Sequence, residues 1–135
     1  MSNFDYYLAQ FVDIHGRPKA KLVPGKHKDM IFCPGAGFAG FAIAGMGMAP
    51  NGQEYMAVGD PESIRPISWM TSTASVTCDG HVNGSPHPFD SRVIAKRALA
   101  AFREATGLEF YSGLEPEFFL LKPGQAAGSW VVATE

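Results

Sequence analysis

Two glutamates two positions apart, Glu115 and Glu117, stand in the otherwise apolar run GLEPEFFLL. Side chains alternate between the faces of a β-strand, so positions i and i+2 share a face at a spacing of about 7 Å. At an effective dielectric constant near 20, two such charges repel by about 2–2.5 kcal/mol. A protonated carboxyl, Arg or Lys partners, or hard cations that take oxygen ligands could each offset this repulsion.

The residues around the two glutamates leave two environments open. Phe and Leu occur on both faces of the run, which favours a buried strand. Pro116 favours an edge strand whose outer face is solvated, because proline has no amide to donate to a neighbouring strand. Spacing alone therefore does not decide between a metal site and a solvated edge.

A helix is predicted over residues 90–106. Because this helix comes directly before the strand that carries the two glutamates, it must position that strand. Its apolar residues recur at i, i+4, i+7, i+8 and i+11, the period of one helix face: Ile94, Ala98, Ala101, Phe102 and Ala105. Asp90 or Ser91 can cap the start, and Gly107 stands where a helix-ending glycine belongs.

Several short strands are predicted before the helix. Residues 4–23 read as a hairpin, and residues 34–52 as a glycine-rich loop with room for one short strand. Two further strands are predicted within residues 54–69 and 74–84, broken by Asp-Pro and Asp-Gly turns. Strands followed by a helix and another strand predict an α+β fold.

The composition predicts a globular protein. The 135 residues are 46% hydrophobic and 18% charged, with a net charge of −2, enough for one domain or a small domain plus part of another. This charge gives no electrostatic reason to bind nucleic acid, and no apolar stretch has the length of a membrane span. Cys33 and Cys78 lie far apart, which favours free thiols in the cytoplasm.

The run GAGFAG (residues 35–40) matches a dinucleotide-binding fingerprint, with Asp60 placed to contact a ribose. That fingerprint needs a helix to begin after its third glycine, whereas Gly45 and Gly47 follow here. We therefore treat dinucleotide binding as the weaker alternative.

Cys78, His81 and His87 suggest a metal site only weakly. Their spacing is irregular, and Asp-Gly and Asn-Gly pairs lie between them. Turn chemistry explains this stretch better.

Four segments together resemble the glutamine synthetase family. GLEPEFFLL is similar to its G-x-E-x-E-F-F-L strand, and DSRVIAKRAL (residues 90–99) to the D-P-R-x-I-A-K-R-A helix before that strand. FVDIHG (11–16) resembles the first hairpin, and CDGHVNG (78–84) the last strand before the helix. Within the family, residues 35–59 resemble most the branch of ligases that join glutamate to methylamine.

The resemblance implies an ATP-dependent ligase. Glutamate would be activated as γ-glutamyl phosphate, and ammonia or an alkylamine would displace phosphate to give a γ-glutamyl amide. Two Mg²⁺ or Mn²⁺ ions are implied, with Glu115 similar to the ligand of the nucleotide-side ion and Glu117 to that of the glutamate-side ion.

The family's architecture predicts a β-grasp domain over residues 1–85, then the first helix and strand of a catalytic domain over residues 86–135. SPHP (85–88) is the expected boundary. In the family, neighbouring subunits of a ring complete each other's active sites, so ring subunits are the implied partners.

One position departs from the ammonia-using members, which have F-D-G-S-S where this chain has FAGFA. Ala39 replaces the acid that helps to bind and deprotonate ammonium. This substitution favours an alkylamine nucleophile or marks lost activity. Glu54 is the acid expected to assist at the amine site.

Family members are several times longer, and their remaining metal ligands and ATP-binding residues have no counterpart here. We therefore expect a truncated product that is inactive alone. The alternative is a non-catalytic β-grasp module that docks on full-length ligase rings.

Overall fold

The computed structural model describes residues 4–133 and is organised around one mixed β-sheet. The strands are β1 (Tyr6–Val12), β2 (Pro18–Pro24), β3 (Ala36–Phe38), β4 (Tyr55–Gly59), β5 (Arg65–Pro66), β6 (Thr73–Val82), β7 (Ser85–Pro86), β8 (Leu121–Pro123) and β9 (Trp130–Val132). The helices are α1 (Asp29–Phe32) and α2 (Ser91–Thr106). This confirms the α+β class at the level of a sheet-rich mixed fold.

The ten-residue strand β6 lies at the centre of the sheet, whose order is β2-β1-β6-β4-β3. Its first half runs parallel to β1, and its second half pairs antiparallel with β4. The short strands β5 and β7 also pair with β6, while β8 and β9 form a separate hairpin. Both halves of the sheet therefore depend on one strand.

The predicted first hairpin is confirmed as β1 and β2. Tyr7, Ala9 and Phe11 point into the core, and Asp13 continues the alternation with only 3% of its surface exposed. Its carboxylate accepts the amides of His15 and Arg17 across the turn, which satisfies the buried charge locally.

The remaining apolar core comes from α1, from β3 and the segment that follows it, and from strands β4 and β6. Its members are Ile31, Ala36, Ile43, Met46, Tyr55, Ala57, Ala74, Val76 and Cys78. Every residue of this core precedes α2 in the chain.

The expected turn at Asp79-Gly80 is wrong, because both residues lie within β6 and pair with β4. Gly80 has a packing role instead: a Cβ there would collide with the ring of Tyr55. The glycine thus lets a large aromatic side chain cross the sheet surface. By contrast, the expected Asp-Pro turn is present, with Pro61–Ser63 forming a short 3-10 helix after Asp60.

Helix α2 confirms the predicted segment and both of its ends. The Asp90 carboxylate accepts the amide of Val93 at 2.9 Å as the N-cap. Gly107 ends the helix with φ of 71°, the left-handed conformation that glycine adopts without strain.

A cluster of charges attaches α2 to the sheet. Arg92 lies 2.6 Å from the carboxylate of Asp60 and 3.2 Å from that of Asp79. Lys96, one turn further along, is 2.5 Å from the other oxygen of Asp79. These side chains are partly exposed, so each pair contributes about 1 kcal/mol or less.

The strand predicted over residues 113–121, buried or at an edge, is wrong for residues 113–120 of this structure. Residues 108–120 are irregular, and all residues from 94 to 123 are exposed. Extended chain becomes a strand only when a neighbour supplies hydrogen bonds, and within the described residues β8 pairs only from Leu121 onward. Pro116 also lacks the amide that such a ladder uses.

None of the helices in residues 4–133 combines the length and the hydropathy needed to cross a membrane.

We predict that Gly80→Ala lowers the free energy of unfolding by about 1–3 kcal/mol, since the added methyl group meets the buried Tyr55 ring. Urea denaturation measures this change. Gly113→Ala is the matched control, because its Cβ would meet open space, and it should change stability by less than about 0.5 kcal/mol. Equal stability of the two variants would contradict the packing role of Gly80.

Stability should also fall in acid through Asp60. Burial acts to raise the pKa of Asp60, but the amide of Glu62 and the guanidinium of Arg92 outweigh it and leave the pKa below its ordinary 3.8. A pKa lowered in the folded state means that the unfolded state binds more protons, so this stabilisation exists above that ordinary value and is lost as pH falls through the folded pKa.

Urea titrations between about pH 5 and pH 2 should therefore show a shallower loss of stability for Asp60→Asn than for the unmodified chain. The variant keeps an oxygen for the amide of Glu62 but loses the charge facing Arg92. Glu104→Gln, at an exposed position on α2, is the control and should keep the original slope. An unchanged slope in Asp60→Asn would rule out this contribution.

Candidate functional site

Glu115 and Glu117 lie in the exposed irregular segment between α2 and β8. Within residues 4–133 neither carboxylate has an ion-pair or hydrogen-bond partner. In water, two charges about 7 Å apart repel by about 0.6 kcal/mol. Exposure therefore removes most of the repulsion expected for a buried pair, and no internal neutralising partner is required.

The donor chemistry of this pair fits a hard divalent cation. Carboxylate oxygens are among the ligands that Mg²⁺ and Mn²⁺ prefer, and Mg²⁺ takes about six oxygen ligands, several of them usually water. Among the described residues, no three His, Cys, Asp or Glu side chains come together as a metal cluster. Two carboxylates alone leave most positions around such an ion to other ligands.

Ala39 and Glu54 are brought together at one surface depression of about 230 Å³. The antiparallel pairing of β3 with β4 sets Phe38 opposite Tyr55. Ala39, which follows Phe38, therefore lies beside Glu54, which precedes Tyr55. The carboxylate of Glu54 lies against Gly37, where a side chain would collide with it.

The walls of this depression are about half apolar, with Phe38, Phe41 and Pro50, and half polar, with Gln53 among the polar residues. Glu54 supplies its one carboxylate. A carboxylate beside apolar side chains suits a small organic cation. Such a cation can pair its charge with the carboxylate and place its alkyl part against the apolar side chains. Residues 38–54 form the walls alone, so Glu115 and Glu117 do not line this depression.

Next to the lining residue Glu54, Tyr55 makes a contact that the sequence does not reveal. Its hydroxyl donates to the carboxylate of Asp90 at 2.7 Å, and both side chains are fully buried. Burial raises the pKa of Tyr55 well above its usual range, and the neighbouring Asp90 raises it further, so the phenol remains a donor. Strand alternation predicts that Tyr55 is buried, but nothing in the spacing names a partner 35 positions away.

The side chains of Cys78, His81 and His87, which suggested a metal site weakly, contact other groups of the protein instead. Burial raises the pKa of the Cys78 thiol to about 12, and the thiol contacts the carbonyl of Val76. The ring of His87 accepts the amide of Phe89 at 3.2 Å. These side chains serve packing and local hydrogen bonds.

The structure contradicts the dinucleotide alternative. After β3, residues Gly40–Ala42 form a single 3-10 turn, and no helix begins there. Asp60, the proposed ribose contact, is paired with Arg92 instead.

Comparison with known proteins identifies relatives of one kind. The chain is 51% identical over 118 residues to the glutamate–methylamine ligase of Methyloversatilis universalis, covering 87% of this chain and 26% of that enzyme. It is 37% identical over 145 residues to the glutamine synthetase of Methanococcus maripaludis, covering 99% of this chain and 32% of that protein. No family model matches.

The fold matches as well. A solved structure of GmaS in complex with ADP superposes with a TM-score of 0.72 at 35% identity, over 76% of this chain and 24% of that one. The chain thus spans about a quarter to a third of the length of these relatives. It belongs to the glutamine synthetase family of ligases and corresponds to an amino-terminal part of its relatives.

Proposed function

We propose that the chain is part of a ligase that uses ATP to join glutamate to ammonia or an alkylamine through γ-glutamyl phosphate. The observation that carries this proposal is the 51% identity to a glutamate–methylamine ligase over 87% of the chain. By itself the chain is expected to be inactive.

The proposed division places a β-grasp domain in residues 1–85 and the start of the catalytic domain in residues 86–135. The apolar core supports this division, because all its members precede α2. Large apolar side chains of α2 and beyond are exposed, among them Ile94, Phe102, Phe118 and Phe119. Exposed apolar area of this kind is typical of a surface that further chain covers, here the rest of the catalytic domain and neighbouring subunits of a ring.

Glu115 and Glu117 are proposed to hold two Mg²⁺ or Mn²⁺ ions, one toward the nucleotide and one toward glutamate. When bound, such ions supply the positive charge that phosphoryl transfer requires. Pro116 lies between the two glutamates and restricts the backbone of the residue before it to extended conformations. Extended backbone at Glu115 favours the strand geometry in which both carboxylates share a face.

The depression at Ala39 and Glu54 is proposed as the part of the amine site that this chain provides. A second carboxylate at position 39 would attract the ammonium ion and compete with an alkyl group for the same space. Ala39 instead adds a methyl group to the apolar wall, which suits an alkylamine. Among the described residues that line the depression, Glu54 is the one carboxylate, and it can accept a proton from the attacking amine.

A chimera tests the reaction and the amine together. Residues 1–135 replace the matching amino-terminal portion of the Methyloversatilis universalis ligase, and amide formation is measured with methylamine and with ammonium. We expect kcat/KM for methylamine to exceed that for ammonium by about tenfold or more. Burying the methyl group of methylamine against an apolar wall favours methylamine, and the absence of an ammonium-binding acid at position 39 disfavours ammonium.

Ala39→Asp in the same chimera should shift the preference toward ammonium, and Ala39→Ser is the size-matched neutral control. Equal use of both amines by the parent chimera would refute the role of Ala39. A folded chimera that forms no amide with either amine would refute the proposed function.

The metal assignment predicts a second result in this chimera. Glu115→Gln and Glu117→Gln should each lower kcat by more than about 100-fold and raise the Mg²⁺ concentration needed for half activity, since even outer-shell changes cost 10–100-fold. Glu109→Gln is the control, because its carboxylate pairs with Arg103 on the exposed surface. Full activity of either test variant at the original Mg²⁺ requirement would remove that residue from the metal site.

A non-catalytic module that docks on full-length ligase rings is the second candidate. The sheet's own core, contained in residues before α2, favours it. Co-elution of the 135-residue chain with the complete Methyloversatilis universalis ligase, together with altered ligase activity, would support the module. Separate elution would count against it.

A further inference from the structure

We propose that Tyr55 is a positioning residue for the depression lined by Ala39 and Glu54, which it holds through its buried hydrogen bond to Asp90 at the start of α2. The inference rests on the proposed function for its effect on amine use. Its structural part stands on contacts within the described residues.

Tyr55 does not line the depression itself but adjoins residues that do. It follows Glu54 in the chain and pairs across the strands with Phe38, so its backbone holds both walls. Gly40, another lining residue, approaches so closely that a Cβ there would lie 3.2 Å from the Cβ of Tyr55. A shift of Tyr55 therefore moves lining residues of both strands together.

The ring of Tyr55 is confined on several sides. The centroid of Phe11 is 5.0 Å away, that of Phe38 is 6.5 Å away and that of His87 is 6.3 Å away. Gly80 leaves the space that the ring occupies on β6. These contacts restrict the ring, and in the orientation they leave it the hydroxyl donates to Asp90.

The other end of the contact is equally constrained. Asp90 has no exposed surface; one carboxylate oxygen accepts from Tyr55 and the other caps α2 through the amide of Val93. Arg92, two residues later, pairs with Asp60 and Asp79 of the sheet side. These ion pairs hold the start of α2 against the sheet without help from Tyr55. The hydrogen bond from Tyr55 to Asp90 therefore ties β4, and with it the residues that line the depression, to a fixed position.

Without the hydroxyl, one oxygen of the buried Asp90 carboxylate loses its partner. A buried carboxylate oxygen without a donor is costly, so the structure must admit water or move the ring and the start of β4. Either response loosens Phe38 and Glu54, which flank the depression. Glu115 and Glu117, the residues proposed to hold the metal ions, do not line the depression, so the effect should be selective for the amine.

The chimera described above tests this selectivity. Tyr55→Phe should raise the KM for methylamine by about tenfold, the factor that corresponds to about 1.4 kcal/mol for a hydrogen bond to a charged group, while the KM values for ATP and glutamate stay within twofold. Tyr7→Phe is the matched control, since Tyr7 is also a buried core tyrosine but lies on β1, which pairs with β2 and β6 and not with β3.

Asp90→Asn and Asp90→Ala separate positioning from general stability. Asparagine caps a helix as well as aspartate does and still offers Tyr55 a hydrogen-bonding partner, so Asp90→Asn should keep the KM for methylamine near the original. Asp90→Ala should raise it as Tyr55→Phe does. An equal rise in all three KM values, or no change in the KM for methylamine, would overturn the proposal.

Amide hydrogen exchange on the 135-residue chain gives a readout that does not depend on activity. Tyr55→Phe should speed exchange both at the first turn of α2 and within residues 38–55, whereas Tyr7→Phe should leave both regions unchanged. Unchanged exchange within residues 38–55 would overturn the positioning role. If the chimera is inactive but exchange changes as expected, the proposed function fails while the structural inference stands.

Discussion

The structure depends on a buried carboxylate. Asp90 is completely enclosed where the sheet meets α2, and each of its oxygens has one donor, the Tyr55 hydroxyl and the Val93 amide. A buried charge is tolerated only when it is hydrogen-bonded, so sheet and helix have to meet in one relative arrangement. The more exposed ion pairs of Arg92 and Lys96 reinforce this arrangement but could form over a wider range of geometries.

Much of the fold could be predicted from the sequence where the signals are local. The β1–β2 hairpin follows from two-residue alternation, including the unusual burial of Asp13. Helix α2 follows from its apolar period and from its caps at Asp90 and Gly107. The glycine-rich loop with one short strand was also predictable, because so many glycines are incompatible with a helix.

What could not be predicted involves partners that are distant in the sequence or that the described residues do not supply. Asp-Gly usually marks a turn, but Gly80 serves the ring of Tyr55 on the neighbouring strand. Residues 113–120 have the composition of a buried strand, yet a strand needs neighbours that the described residues do not supply. The shared face of Glu115 and Glu117 thus stays a prediction, whereas the meeting of Ala39 and Glu54 follows directly from the β3–β4 pairing.

The parallel pairing of β1 with β6 has a consequence for how the chain folds. Its contacts join residues as distant as Asp5 and Ser72, which are 67 positions apart, and such loops carry an entropic cost before any pairing is gained. During synthesis, the β1–β2 hairpin can form early, but one side of β1 stays open until β6 has emerged from the ribosome. The interval between these two events is when an exposed strand edge is most prone to pair with another chain.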